Sequence, residues 1–350
     1  MKEKNIIRKV LSNTSILLFL KCISRIIKKD KGYIDFAVNG YQDPKCLRVQ
    51  TLGEKNNGKI IYDIHEQGAG YGFFAEFRAL LCNLIFAEEM GFVPNVSWGE
   101  NHLYHEKYEI NGTSNVFEYY FEPVRIPNVC ESRNVIISSA LQNAYIEHQY
   151  GVNGYETSVR FEKALLEVMN KYIRIKNDIL TEFDNGIEKI FNGNRVIGVH
   201  YRGTDYKQEY NGHPVPVDVD KEIQKVREIQ KKYDIETVFL ATDDANVLKI
   251  YKDAFGENLI YYRDIYRGEN LKSVAFSECE REFHHYLLGK EVLRDAYTLS
   301  RCNCLVAGKS QVSYFAQIFN KCNNQLFESC TIIDWGLNNN NKYFKRNKSN

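Results

Sequence analysis

The stretch from Arg195 to Tyr206, RVIGVHYRGTDY, brings His200, Arg202 and Asp205 within six residues of one another at the end of an apolar run. The run Val196 to Val199 has β-strand character, so all three polar groups fall into the loop that follows it. An arginine at the end of a buried strand either pairs with a carboxylate or grips a phosphate through two parallel N–H donors. Asp205, three residues on, is a carboxylate within reach along the chain. Local sequence leaves a polar cluster and an anion site both open.

Three further stretches have the same double character. In ATDDAN, Thr242, Asp243 or Asp244 can cap a helix starting near 245, where carboxylates suit the helix dipole. Alternatively, one acid of the pair aims at a ribose hydroxyl or at the Arg202 loop. In AGKSQ, Asn303 stands where a phosphate-binding P-loop needs its first glycine, which disfavours that motif. Ser310 and Gln311 still lie between a strand and a helix, either as a helix cap or as donors to a phosphate oxygen. The segment GAGYG fails the dinucleotide fingerprint, because Phe73 occupies the last glycine position. As a loop opening a helix it is either a tight turn or a place where bare N–H groups approach a phosphate.

The elements that must position these groups can be read from periodicity. Lys59 to Ile64 reads as a strand, and Phe73, Phe74, Phe77, Leu80, Leu81, Leu84 and Ile85 recur at helical spacing after the glycines. Between about 95 and 155 the pattern is aromatic and aperiodic, with short runs such as Val135-Ile136-Ile137. Phe161 to Phe191 reads as one helix, ending at the turn Asn192-Gly193-Asn194. Beyond that turn strands and helices alternate: strands at 196–199, 238–241, 259–262 and 304–307, helices at about 218–232, 245–255, 280–301 and 311–319. Such alternation implies crossovers and a parallel sheet, whose ligands bind at the carboxyl ends of the strands. That rule selects the loops at His200 to Asp205, Thr242 to Asp244 and Gly308 to Gln311.

Bulk properties narrow the class. A chain of 350 residues, 44% hydrophobic and 26% charged, has enough material for two domains or one large domain, either with a proper core. A net charge of +1 excludes a strongly basic nucleic-acid binder, so any anion site is local. Nine cysteines at irregular spacing do not form a disulfide framework and fit a reducing, cytoplasmic setting. Cys302 and Cys304, with His284 and His285 upstream, lack the usual zinc spacing of about two to four residues and read as buried thiols. The segment 1–35 carries Ser15 to Leu20 between basic residues, shorter than the ~20 residues of a membrane span. It reads as a packed helix or as a basic amphipathic segment in peripheral contact with the inner membrane face.

Taken in order, GAGYG before an aromatic helix, IGVHYRGTDY, VFLATDDANVL and LRDAYTLSRCNCLVAGKSQVSYFAQ resemble the fucosyltransferase superfamily, and the α-1,6-fucosyltransferase and nodulation fucosyltransferase branch in particular. That branch's H-x-R-R-x-D motif matches at His200, Arg202 and Asp205, with Gly203 in place of the second arginine. Its A-T-D-D, D-x-x-x-L-S and S-Q elements match Ala241 to Asp244, Asp295 with Leu299 and Ser300, and Ser310-Gln311. The resemblance covers about 70–80 and 195–320.

The resemblance implies an α/β protein of GT-B type, with two Rossmann-like domains and a cleft between them. An N-terminal domain at 36–190 would serve the acceptor and a C-terminal domain at 191–336 would bind the nucleotide sugar; the polar, basic composition of 337–350 reads as a mobile tail. It implies an inverting transfer of fucose from GDP-fucose to a hydroxyl of a glycan or lipid-linked glycan, placed in bacterial surface polysaccharide synthesis. Arg202 would grip the diphosphate. Ser310, Gln311 and Gly70-Tyr71-Gly72 would complete the phosphate cradle, with Asp243 beside it, and His200 and Asp295 would face the nucleoside. Glu209, four residues before His213-Pro214, is the candidate base, with Asp205 as the alternative. No metal ligand set is recognisable, so a metal-independent enzyme without a cofactor is expected. Gly203 supports the alternatives of a different GDP-hexose donor, or of a non-catalytic protein that binds a nucleotide or sugar.

Overall fold

The structure is a computed structural model that describes residues 47–68, 70–204, 206–269 and 273–342, together with 19–20, 23–24 and 27–28. Asp205, nearly all of the basic N-terminal segment and residues 343–350 therefore lie outside the described residues. The chain forms two units: one made of residues up to 67, 79–97 and 124–165, the other of 68–78, 98–123 and 166 onward. Both are α/β with parallel sheets, the class expected from the sequence. Among the described residues, no helix is long and apolar enough to cross a membrane.

In the first unit the central strand is β1 (Ile61–His65), whose Ile61, Tyr62 and Ile64 are fully buried. The aromatic stripe that follows the glycines forms α1 (Phe73–Met90), of which residues 79–90 belong to this unit and 73–78 to the second, and all seven apolar positions anticipated for it are buried. Strand β2 (Val93–Ser97) lies at the edge of the sheet, where the missing N–H of Pro94 is tolerated. Of the aperiodic region, α2 (Phe117–Tyr120) belongs to the second unit, whereas β3 (Val135–Ile137) completes the first unit's parallel order β2-β1-β3. Helix α3 (Ala140–Gln149) follows, opened by a Ser139–Gln142 capping box.

The long helix expected over 161–191 is two helices, α4 (Val159–Tyr172) and α5 (Asn177–Phe191). A tertiary pairing breaks it: Glu122 N–H donates to the Arg174 carbonyl (2.8 Å), Lys176 N–H to the Tyr120 carbonyl (2.9 Å), and Ile175 bridges to Phe121. These bonds replace helical ones across 173–176. The expected domain boundary at 190/191 coincides with the last two residues of α5, inside the second unit.

From there the alternation proceeds as β4 (Val196–Tyr201), α6 (Val219–Tyr233), β5 (Thr237–Thr242), α7 (Ala245–Phe255) and β6 (Leu259–Ile260). It continues through α8 (His284–Ser300), β7 (Cys304–Gly308), α9 (Gln311–Cys322) and β8 (Ser329–Ile333), a strand the sequence did not announce. The sheet order is β6-β5-β4-β7-β8, parallel throughout. Ile197, Val199 and Tyr201 of β4 enter a core with Val226, Leu240 and Val306 on one face. Each large apolar side chain buried there contributes about 1.5–3 kcal/mol. On the other face Gly198 admits α8 and the turn after it, because a Cβ there would sit 2.9 Å from Cys302 Sγ. Cys302 and Cys304 are both buried.

The chain runs outward from β4 to β5 and β6, then returns to β4's other side with β7. The strand order therefore switches between β4 and β7. At such a switch point the loops leave in opposite directions and open a crevice at the carboxyl ends.

Candidate active site

Register decides what Arg202 meets. Tyr201 pairs with Thr242, so the next residues on the two strands, Arg202 and Asp243, emerge side by side. Arg202 Nη1 lies 2.6 Å from Asp243 Oδ2, and its Nη2 donates to Ser273 Oγ (3.2 Å). Asp243 also accepts from the Gly203 amide (2.9 Å) and the Thr204 hydroxyl (2.8 Å). Burial works against ionisation at Asp243. The Arg202 charge, the Gly203 amide, the Thr204 hydroxyl and His200 overcome it and hold the carboxyl below the usual range. The carboxylate seen against Arg202 is thus Asp243, from the neighbouring strand.

The two readings of the TDD stretch fall on different residues. Asp243 turns to the arginine, whereas Asp244 caps α7, accepting from Asn246 N–H (2.8 Å) and Val247 N–H (3.2 Å). Asp244 is buried and its other oxygen meets Lys207 Nζ at 2.5 Å. This packing explains Gly203. A Cβ there would stand 2.6 Å from Asp244 Oδ2, 2.9 Å from its Cγ and closer still to its Cβ. Position 203 has no room for any side chain, arginine included.

His200 and Ser310 meet across the switch point, from β4 and from the loop after β7. His200 Nδ1 lies 3.2 Å from Ser310 Oγ, and Ser310 caps α9 by accepting from Ser313 N–H at 3.0 Å. Burial pushes His200 down to about 4, with Asp243 opposing and Arg202 adding to the shift, so the ring is neutral at pH 7. Gln311 opens α9 beside it. Gly70, Tyr71 and Gly72 form the turn into α1, with Gly70 at φ 129° and the Phe73 amide donating to Tyr104 Oη (3.3 Å).

Asp295 is in α8, among Arg267, Arg294 and Glu291. Burial pushes it up to about 7 against the pull of the two arginines, and its buried Oδ1 has no hydrogen-bond partner among the described residues. Glu209 is elsewhere again, on an exposed loop with φ 54°, its carboxylate 3.2 Å from Lys342 Nζ. That loop is held by the C-terminal segment: Asn338 N–H donates to the His213 carbonyl, and Gly212 and Val215 N–H donate to the Asn338 and Gly336 carbonyls. The tail expected to be mobile is tied down as far as 342, because backbone groups of 336–342 and the amide side chains of Asn338 and Asn340 match those of 209–215.

No family profile and no curated protein matches the chain. Among solved structures it is similar to the fucosyltransferase NodZ from Bradyrhizobium, at 17% identity over 75% of this chain and 93% of that one, with a TM-score of 0.41. It is similar to NodZ α-1,6-fucosyltransferase co-crystallized with GDP, at 16% identity over 75% of this chain and 92% of that one (TM-score 0.43). POFUT1 in complex with GDP is 9% identical over 80% of this chain and 99% of that one (TM-score 0.45).

Three further features of the structure lie outside the residues expected from the sequence. Ser273, far along the chain from Arg202, had no local signal. In the first unit, Asp63 in the middle of β1 accepts from Asn95 Nδ2 (2.6 Å) and Ser97 Oγ (2.9 Å) and lies 2.9 Å from Nε2 of His65, the strand's last residue. The bond to Asp63 raises His65, and the Asp-x-His spacing at a strand end was its available signal. The third is Glu222 in the first turn of α6, fully buried, with Oε2 accepting from Tyr251 Oη (2.6 Å) and Oε1 unpartnered among the described residues.

Burial pushes Glu222 up to about 8, while Tyr251 and the Gly308 amide pull the other way. Between 4.5, the ordinary value, and about 8 the folded chain keeps a proton that the unfolded chain releases. Folding stability contributed by this group is complete below that window and declines as pH rises through it. Glu222→Gln is expected to remove the decline. Denaturant midpoints at pH 5 and pH 8.5 should show the native protein losing on the order of 3–5 kcal/mol more than the variant. Equal losses would mean that Glu222 is ionised in the folded protein at neutral pH.

Proposed function

We propose that the chain is a metal-independent, inverting glycosyltransferase that carries fucose from GDP-fucose to a hydroxyl of a glycan or lipid-linked glycan, in bacterial surface polysaccharide synthesis on the cytoplasmic side. The observation that carries this reading is the Arg202–Asp243 pair at the carboxyl end of β4, beside the switch point, within a series of motifs resembling that superfamily.

Arg202 keeps 23% of its side chain exposed, so the fork is oriented by Asp243 yet accessible. Its guanidinium takes oxygens of the donor diphosphate and meets the negative charge that grows on GDP as the glycosidic bond breaks. Ser310, Gln311 and the turn at Gly70-Tyr71-Gly72 complete the cradle. His200, being neutral, both donates and accepts hydrogen bonds on the nucleoside side. The orphan oxygen of Asp295 suits the N1–H and amine of guanine, which compensate the burial that disfavours its charge. Inversion requires a base for the acceptor hydroxyl, and Glu209 takes that role. Asp243 and Asp244 are engaged by Arg202 and Lys207, which supports charge neutralisation by the protein's own cations.

Calorimetry with GDP, UDP and ADP tests the donor class. GDP is expected to bind at least ~10-fold more tightly than either of the others, a difference of about 1.4 kcal/mol. Slow hydrolysis of GDP-fucose should accompany it. Equal affinity for all three nucleotides, or none for GDP, would remove the reading.

A further inference from the structure

The segment Ser277 to His284, SECEREFH, lies outside the site described above and holds a nucleophile, a base and an orienting group within hydrogen-bond reach. Cys279 is exposed, and its Sγ lies 3.1 Å from Nδ1 of His284, the buried first residue of α8. The tautomer of that histidine is fixed by its other neighbours. Nε2 lies 3.0 Å from the Ser277 carbonyl oxygen and 3.0 Å from Ser277 Oγ. A carbonyl only accepts, and the Ser277 hydroxyl spends its proton on the Val274 carbonyl (2.6 Å), so Nε2 must carry the hydrogen. Nδ1 is left with its lone pair, which accepts from Arg281 Nε–H (3.3 Å) and from the Cys279 thiol.

This is the nucleophile–base–orienter arrangement that activates a weak nucleophile. When Nδ1 takes the thiol proton, the Ser277 carbonyl stabilises the resulting imidazolium through Nε2–H. Burial and the neighbouring Arg281 hold His284 below its ordinary value, so the proton is passed on rather than kept. Arg281 is itself paired with Glu291, and Glu278, Glu280 and Glu282 surround the cysteine in sequence. The segment around the thiol therefore carries net negative charge, which favours neutral or cationic reagents over anionic ones.

We propose that Cys279 is a modification site, a histidine-activated thiol that forms mixed disulfides with small neutral or cationic disulfides. Cys279 Sγ attacks one sulfur of R–S–S–R, the new S–S bond forms as the old one breaks, and the electron pair leaves with RS⁻. The thiol proton travels through His284 Nδ1 to that leaving group and releases RSH. One thiol and one disulfide give one mixed disulfide and one thiol, with no other oxidant.

The test is competition among the chain's own cysteines. Full-length protein is treated with cystamine at pH 7, quenched in acid at intervals and mapped peptide by peptide by mass spectrometry. Cys130 and Cys330 are also exposed and have no imidazole partner among the described residues, so they serve as internal references. Cys279 is expected to react at least ~10-fold faster than either, and faster with cystamine than with the anionic glutathione disulfide. His284→Gln should slow Cys279 by about the same ~10-fold factor and leave Cys130 and Cys330 unchanged. Reaction of Cys279 in the unaltered protein at the pace of Cys130 and Cys330 would overturn the proposal, whatever the variant does. So would an unslowed Cys279 in a folded His284→Gln protein, or a preference for glutathione disulfide.

Discussion

Arg202→Ala is expected to lower the affinity for GDP by at least ~100-fold and to abolish transfer. Two losses add. The first is the charge-assisted hydrogen bonds to the diphosphate, each worth about 1.5–3 kcal/mol. The second is what remains behind: Asp243, with only 13% of its side chain exposed, keeps its bonds to Gly203 N–H and the Thr204 hydroxyl but loses its cation. An unpaired carboxylate then faces the incoming diphosphate and repels it. Asp243→Asn should cost less, about 10-fold, since the guanidinium survives and only its orientation loosens. The double variant should bind GDP better than Arg202→Ala alone, because the stranded negative charge is gone. Glu209→Ala provides the contrast, with GDP affinity within about twofold of the native value and transfer lost. Calorimetry and a donor-turnover assay on the four proteins separate these outcomes. A double variant no better than the single one would show that Asp243 is protonated once Arg202 is removed.

The parts of this site legible in the sequence were those fixed by local pattern. Strand β4 announced itself as an uninterrupted apolar run because it is buried on both faces, and α6, α7 and α9 showed helical spacing because each buries one stripe. Partnership was another matter. The sequence pointed from Arg202 to Asp205, three residues away, whereas parallel register sets Arg202 beside Asp243, 41 positions on. Register across a sheet is a non-local fact with no signature in either strand. The same holds for the break at 173–176, set by backbone pairing with 120–122, and for β8, an edge strand only partly buried and so without a continuous apolar run. The aromatic stretch within 98–123 had no period because its packing is a cluster rather than a face. Tyr104, Tyr120 and Phe121 surround Phe73, and Phe77 stacks on Phe121.

Gly203→Arg is the substitution that the motif resemblance would suggest as a restoration, and it is expected to do the opposite. The obstacle is the first atom of the side chain, since even a Cβ overlaps Asp244. Asp244 cannot retreat cheaply: its Oδ1 caps α7 through two amides, a cap worth about 1 kcal/mol, and its Oδ2 holds Lys207. Gly203→Ala should therefore already cost about 1–3 kcal/mol, as overpacking of a tight site does, and Gly203→Arg at least as much. Nucleotide affinity should fall in both, because the Gly203 amide that supports Asp243 moves with the strained backbone. The clash is specific enough to be relieved. Adding Asp244→Gly should restore part of the thermal stability of Gly203→Ala beyond what independent effects allow, whereas Asp244→Ala, which keeps the offending Cβ, should restore little. Thermal midpoints of these variants, with GDP titrations, decide the matter. A Gly203→Arg protein that bound GDP more tightly than the native chain would mean that the loop has room to reorganise, and that this glycine marks a lost phosphate contact rather than a close approach.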